Sequence, residues 1–232
     1  VAHDSSDVWS ARELFYLDEN GHTTVVAGVP PDYFSPTGQY WGNPLYRWDV
    51  MKADNYRWWV ARLKAVLKMA DIVRVDHFRA FYDYWEVPYN EERTAVDGQW
   101  IDGPGVPFFD SIKAQMGDLP IIAEDLGDLS DGVYELRDEL GLPGMKIIQF
   151  GFSDSANIFL PHNYESNNFI VYTGTHDNNT ALGWWMGEGS DGEKDLFRQL
   201  MGRDITEPHW DMIRLGMSSS AHTFIAPLQD VF

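Results

Sequence analysis

Five short apolar runs recur along the chain: "DIVRVDHF" (71–78), "LPIIAED" (119–125), "GMKIIQFGF" (144–152), "NFIVYTGTHD" (168–177) and "AHTFIAPLQD" (221–230). Runs that are apolar nearly throughout suit parallel strands covered on both faces. Helical patterns lie between them: "YRWWVARLKAVLKMA" (56–70), "GPGVPFFDSIKAQMG" (103–117), "SDGVYELRDELG" (130–141) and "GEKDLFRQLMG" (192–202). Ser130 and Gly141 read as the N-terminal and C-terminal caps of the third. Alternating strands and helices predict an α/β fold. Residues 153–167 show no helical pattern, so one strand–helix unit there is expected to be abbreviated.

Four of the runs end in polar clusters: Asp76-His77, Glu124-Asp125, His176-Asp177-Asn178 and Gln229-Asp230. A (β/α)8 barrel gathers its site from the carboxyl ends of several strands, whereas an open doubly wound sheet concentrates it at one crevice. Polar residues on successive strand ends therefore favour the barrel. Residues 22–48, with four prolines, three glycines and six aromatics, read as one long loop with little regular structure. Such a segment within a compact domain is expected to be a lid or binding loop.

Composition narrows the partners. The net charge is −19, with 36 acidic against 17 basic residues. Without a clustered basic patch, nucleic acid is not an expected partner. No apolar stretch is long enough for a membrane helix, and no signal peptide is visible. The absence of cysteine removes disulfides, thiol catalysis and Cys-ligated zinc, and is compatible with a cytoplasmic location. Ten tryptophans are many for 232 residues. Trp41, Trp48, Trp100, Trp184 and Trp185 sit in polar or Gly/Pro-rich segments, where amphipathic rings can face ligands, sugars among them; packing into the core is the alternative for each.

Asp76, Glu124 and Asp177 share one context, the end of a predicted strand. Two carboxylates flanking a scissile bond are the minimum for glycoside chemistry, one ionised and one held protonated. Arg74, two residues before Asp76, falls on the same strand face and would keep that carboxylate ionised. Phe78 is expected to return to packing. Each acid could instead cap a helix or pair with an arginine. His77, His176, Asp76 and Asp177 are also possible metal ligands, although no H-x-H pair or H-E-x-x-H helix supports a metal site. No G-x-S-x-G elbow or glycine-rich phosphate loop is present.

Four stretches, "GVPPDYFSPTGQYWGNPLYRW", "VRVDHFRAF", "IIAEDLG" and "YTGTHDNNT", taken together resemble the 4-α-glucanotransferases of the amylomaltase (disproportionating enzyme) type, glycoside hydrolase family 77. The resemblance runs from Val1 to Phe232. It implies a single catalytic barrel domain, here incomplete, with strands from about the third to the eighth present and residues 22–48 a loop over the active site. It implies Asp76 as the nucleophile forming a covalent glucosyl intermediate, Glu124 as general acid/base and Asp177 as transition-state stabiliser. Arg74, His77, His176 and Asn178 match substrate contacts, as do Asp32, Tyr33 and Phe34 of the loop, and Trp41 beside the cleft. No cofactor or metal is implied. The implied reaction transfers glucosyl units between α-1,4-glucans and maltooligosaccharides, with glucose as an acceptor. Its retaining geometry predicts an Asp76 to Glu124 separation of about 5 to 5.5 Å. Members of the family are about twice as long, so this stretch alone is expected to fold poorly and to be inactive. An α-glucan hydrolase and a non-catalytic glucan-binding module are the competing expectations.

Overall fold

The computed structural model describes residues 1–33 and 35–232. The chain forms two compact units, Val1–Ile121 with Asp128–Leu140, and Ile122–Gly127 with Gly141–Phe232. The fold is α/β.

The first unit opens with the short helix α1 (Ser6–Ser10) and then builds an antiparallel sheet from β1 (Val25–Val29) and β2 (Gln39–Pro44). Helices α2 (Trp48–Ala53) and α3 (Arg57–Val66) follow, then β3 (Val73–Val75), β4 (Asp83–Pro88), β5 (Gln99–Asp102), α4 (Gly105–Met116) and, after the second unit's first segment, α5 (Asp131–Glu139). The sheet order is β2-β1-β4-β5, antiparallel throughout, with Val26 opposite Val87 and Trp85 opposite Trp100. Buried and half-buried residues alternate along β1, so Val26 packs on Val87 and Ala95.

This sheet corrects the expectation for residues 22–48, which form a hairpin and not an irregular loop. Gly28 makes it possible: a Cβ there would lie 2.5 Å from the Gln39 carbonyl oxygen, beside the register shift between Val26 and Gly28. The core of the unit is aromatic. Trp48, Trp59, Phe81 and Phe108 pack with ring centroids 5.5 to 6.2 Å apart around Trp48 and Trp59. Trp48 thus packs in this aromatic core and also lines a cavity.

The second unit is a parallel sheet with helices. After β6 (Ile121–Ala123), whose last residues belong to this unit, come β7 (Gly144–Ile147) and β8 (Phe169–Tyr172). A short α6 (Ala181–Gly183) runs into a π-turn over Trp184–Glu188, followed by α7 (Asp191–Met201), α8 (Pro208–Met217) and β9 (Thr223–Ile225). β8 lies between β7 and β9, parallel to both. Ile148, Phe152, Leu160, Val171, Trp184, Phe197 and Met212 form the core. Trp184 is buried there against Phe152, which removes it from the ligand-facing candidates. Residues 153–167 contain only a 3-10 turn at Pro161–Asn163, in keeping with the abbreviated unit read from the sequence.

Helix ends follow local chemistry. Ser190 and Glu193 form a reciprocal capping box on α7. Ser130 occupies the N-cap of α5 with extended backbone, but its side chain makes no capping bond; Gly141 follows the last turn at φ +66°.

Candidate active site

The strand β3 is three residues long, and what ends it is the backbone of His77. That residue is left-handed, φ +51°, and turns the chain into a 3-10 turn over Phe78–Phe81. A non-glycine residue in this region costs on the order of 1–3 kcal/mol and persists only where the surroundings impose it. Phe78 and Phe81, both buried, supply that constraint by anchoring the turn in the aromatic core. Asp76 and His77 are thereby held at a rim, one residue from a fixed hydrophobic anchor.

At this rim Arg74 Nη1 donates to Asp76 Oδ1 at 2.6 Å. The Asp76 side chain is 73% exposed while Arg74 is largely covered. The pair lines a cavity of about 510 Å³ together with His77, Trp41, Tyr84 and Trp85. That volume falls within the range of small-molecule sites. Trp41 meets His77 edge-on, centroids 4.8 Å apart, and its indole N–H donates to Gln39 Oε1 at 3.1 Å. Burial pushes the His77 imidazole below its ordinary pKa; Asp76 and Asp83 oppose the shift, and Arg79 adds to it. A neutral ring beside an exposed carboxylate is suited to hydrogen bonding with hydroxyl groups.

Trp41 also borders a second, more polar cavity of about 890 Å³, shared with Tyr40, Tyr89, Asn90 and Arg93. In the hairpin connection, the Asp32 carboxylate accepts the Ser35 N–H at 2.6 Å, and the Asp32 N–H donates to the Ser35 carbonyl at 3.0 Å. Tyr33 stands fully out in solvent. Phe34 lies outside the described residues.

The other candidates belong to the second unit. Glu124 is half-buried, and its Oε1 accepts the Leu126 N–H at 3.0 Å. Its neighbour Asp125 points inward and accepts the Met145 N–H at 2.7 Å. Of that strand-end pair, then, one acid fastens β7 and the other is left at the strand's mouth. His176 and Asp177 are exposed and 3.5 Å apart. Asn178 closes the turn that presents them, its Oδ1 accepting from both the N–H and the hydroxyl of Thr175 at 2.8 and 2.9 Å. Thr175 Oγ1 in turn accepts the Asp177 N–H.

Two residues of this neighbourhood escaped sequence reading. Gln149 is buried, and its amide donates to the Asn179 carbonyl at 2.9 Å. Asp230, noted only as part of a strand-end cluster, is buried with both carboxylate oxygens engaged. In the first unit, Arg79 grips Asp83 and the Asp128 carbonyl. A polar residue immediately after a buried run was the available signal for Gln149. Among the described residues, no group of three or more His, Asp or Glu gathers in metal-binding geometry.

Acids at strand ends, with a tryptophan and a histidine beside one of them, are groups able to meet the hydroxyls and the apolar face of a sugar. The comparisons make this specific. The family model described as 4-alpha-glucanotransferase (glycoside hydrolase 77) matches residues 1–232, and the chain belongs to that family. It is 50% identical over 234 residues to a 4-alpha-glucanotransferase of Synechocystis, covering 100% of this chain and 46% of that protein. To the 4-alpha-glucanotransferase of Thermus thermophilus it is 49% identical, over 100% of this chain and 47% of the relative. The amylomaltase of Streptococcus agalactiae, solved in complex with acarbose, superimposes with a TM-score of 0.91 at 42% identity, over 100% of this chain and 47% of that one. The chain thus spans about half the length of the relatives it matches.

Proposed function

We propose that this chain carries the catalytic residues of a 4-α-glucanotransferase, acting on α-1,4-glucans and maltooligosaccharides with glucose among its acceptors. The observation that carries the reading is the Arg74–Asp76 ion pair at the rim of the His77–Trp41 cavity, in a chain half identical to 4-alpha-glucanotransferases. A partial (β/α)8 barrel is the fold class that goes with this reading. A cytoplasmic location goes with this reading; among the described residues no helix is long and apolar enough to cross a membrane.

The reaction is a retaining double displacement. Glu124 protonates the departing glycosidic oxygen while Asp76 attacks the anomeric carbon and forms a glucosyl ester. Asp177 binds hydroxyls of the distorted sugar, and the 4-hydroxyl of an acceptor, deprotonated by Glu124, then displaces Asp76 and restores an α-1,4 bond. Arg74 supports the ionised form of the nucleophile from 2.6 Å away. His77, His176 and Asn178 contact the same sugar. Asp32, Tyr33, Phe34 and Trp41 are assigned to contacts with the acceptor sugar, and the hairpin of β1 and β2 limits access of water.

Incubating the intact protein with maltotriose tests this. A ladder of longer maltodextrins with glucose is expected, and only shorter sugars would mean hydrolysis. Asp76→Asn should reduce transfer by more than about a thousandfold with the protein still folded. Retained transfer in that variant would remove Asp76 from the mechanism and leave glucan binding as the function.

A further inference from the structure

The connection 173–181, which presents His176 and Asp177, leaves β8 at Thr173 and enters α6 at Ala181. Both of its ends are tied to one carboxylate. Asp230 Oδ2 accepts the Thr173 hydroxyl at 2.5 Å, and Oδ1 accepts the Ala181 N–H at 2.7 Å. Asp230 is 1% exposed, and the donors holding these oxygens are neutral. Taking a carboxylate out of water costs several kcal/mol, so a purely packing role would be served better by an apolar side chain. A carboxylate at this place does what an apolar group cannot: it joins two points of the chain through two directional bonds.

A second tie acts on the same connection. The buried Gln149 amide donates to the Asn179 carbonyl at 2.9 Å, and the Gln149 N–H donates to the Thr173 carbonyl at 3.3 Å. A Cβ on Gly174 would come within 2.7 Å of the Gln149 amide nitrogen, so the backbone passes tight against that side chain. Between these ties the Thr175–Asn178 turn closes locally, and only its apex, His176 and Asp177, is exposed. Holding a reacting geometry in advance removes the cost of ordering the backbone from the chemical step.

From this arrangement we infer that Asp230 is a positioning residue for Asp177. It clasps the two ends of the connection 173–181 and so fixes where the Asp177 carboxylate stands. The inference rests on the reading of Asp177 as the transition-state stabiliser. Asp230 itself touches no substrate.

The test uses the intact protein with Asp230→Asn, Asp230→Leu and Thr173→Val. Asparagine can still accept the Ala181 N–H through its amide oxygen, and its amide N–H can donate to Thr173 once that hydroxyl rotates to accept. Asp230→Asn should therefore keep kcat within about threefold of wild type. Asp230→Leu fills the space but breaks both ties, and a displacement near 1 Å should lower kcat about a hundredfold with KM little changed. Thr173→Val breaks one tie and should lower kcat about tenfold. A folded Asp230→Leu with kcat within twofold of wild type overturns the inference, as does a loss confined to KM. If Asp230→Leu does not fold, Thr173→Val decides on the same criterion. Asp177→Asn separates the two levels: if it transfers normally, the reading of the site has failed, and the clasp is then judged by hydrogen exchange across residues 174–180. Exchange that speeds up in Thr173→Val supports the clasp, and unchanged exchange refutes it.

Discussion

Replacing Arg79 by Met tests how far electrostatics hold the turn that follows Asp76. Arg79 Nε and Nη2 bind the two Asp83 oxygens at 2.8 and 3.4 Å, and Nη1 donates to the Asp128 carbonyl at 2.8 Å. Its guanidinium lies 4.0 Å from the centroid of the Trp100 ring. The side chains of the ion pair are only 15% and 18% exposed. Exposed pairs contribute about 0–1 kcal/mol, whereas removing one partner of a buried pair costs about 3–5. The observed exposure lies nearer the buried limit, and the Trp100 contact adds about 0.5–1 kcal/mol. Arg79→Met keeps most of the aliphatic stem, strands the Asp83 carboxylate, and should destabilise the protein by roughly 2–4 kcal/mol. Asp83→Asn alone should cost less, and the double variant should show a coupling of about 1–2 kcal/mol. Urea unfolding followed by tryptophan fluorescence measures this. Arg79→Lys should be intermediate, because an ammonium keeps the charge but not the fork. A coupling below about 0.3 kcal/mol, or an Arg79→Met midpoint equal to wild type, would refute the account.

Two further perturbations probe the same turn. His77 is held below its ordinary pKa near 6.5, chiefly by burial, so between the folded value and 6.5 the unfolded chain binds more protons than the folded one. Stability should fall as pH drops from about 6.5, with no contribution from His77 above it. His77→Asn, whose side chain tolerates the left-handed backbone, should flatten that part of a melting-temperature profile taken from pH 5 to 8; identical slopes would exclude His77 as the titrating group. At Gly103, an added Cβ would lie 2.4 Å from the Phe81 carbonyl carbon and oxygen, while the Gly103 N–H donates to the Tyr82 carbonyl at 2.7 Å. Gly103→Ala must break that approach and should cost about 1–3 kcal/mol in the same unfolding assay, a prediction that an unchanged midpoint would contradict.

What the sequence made legible follows from locality. β7 and β8 are runs of apolar residues because both faces are covered, and α3, α4, α5 and α7 carry an apolar stripe at helical spacing; either pattern is complete within one short window. The hairpin of β1 and β2 is not. Its register depends on β4, far along the chain, and β4 reads as "DYWEVP" with a charged residue at its start and a proline at its end. Helix α8, absent from the sequence expectation, carries a local signal too: Pro208 in its first turn, with Met212, Ile213 and Gly216 on the buried side.

The strand-end acids show the limit most sharply. Asp76 and Asp177 are exposed, while Asp125 and Asp230 are buried, yet all four follow an apolar run and look alike in sequence. The buried two each meet a backbone N–H on a different segment, Met145 for Asp125 and Ala181 for Asp230. Alternation along the strand cannot sort them, because the backbone leaves the extended region where the strand ends, as the left-handed His77 shows. An acid at a strand end turns inward where an unsatisfied amide of another segment faces it, since that bond offsets the loss of water. Where none does, the acid stays at the rim, accessible to a substrate. Which of the two occurs is decided by the neighbouring segment, so the rim acids can be nominated from one sequence but sorted only once the segments are in place.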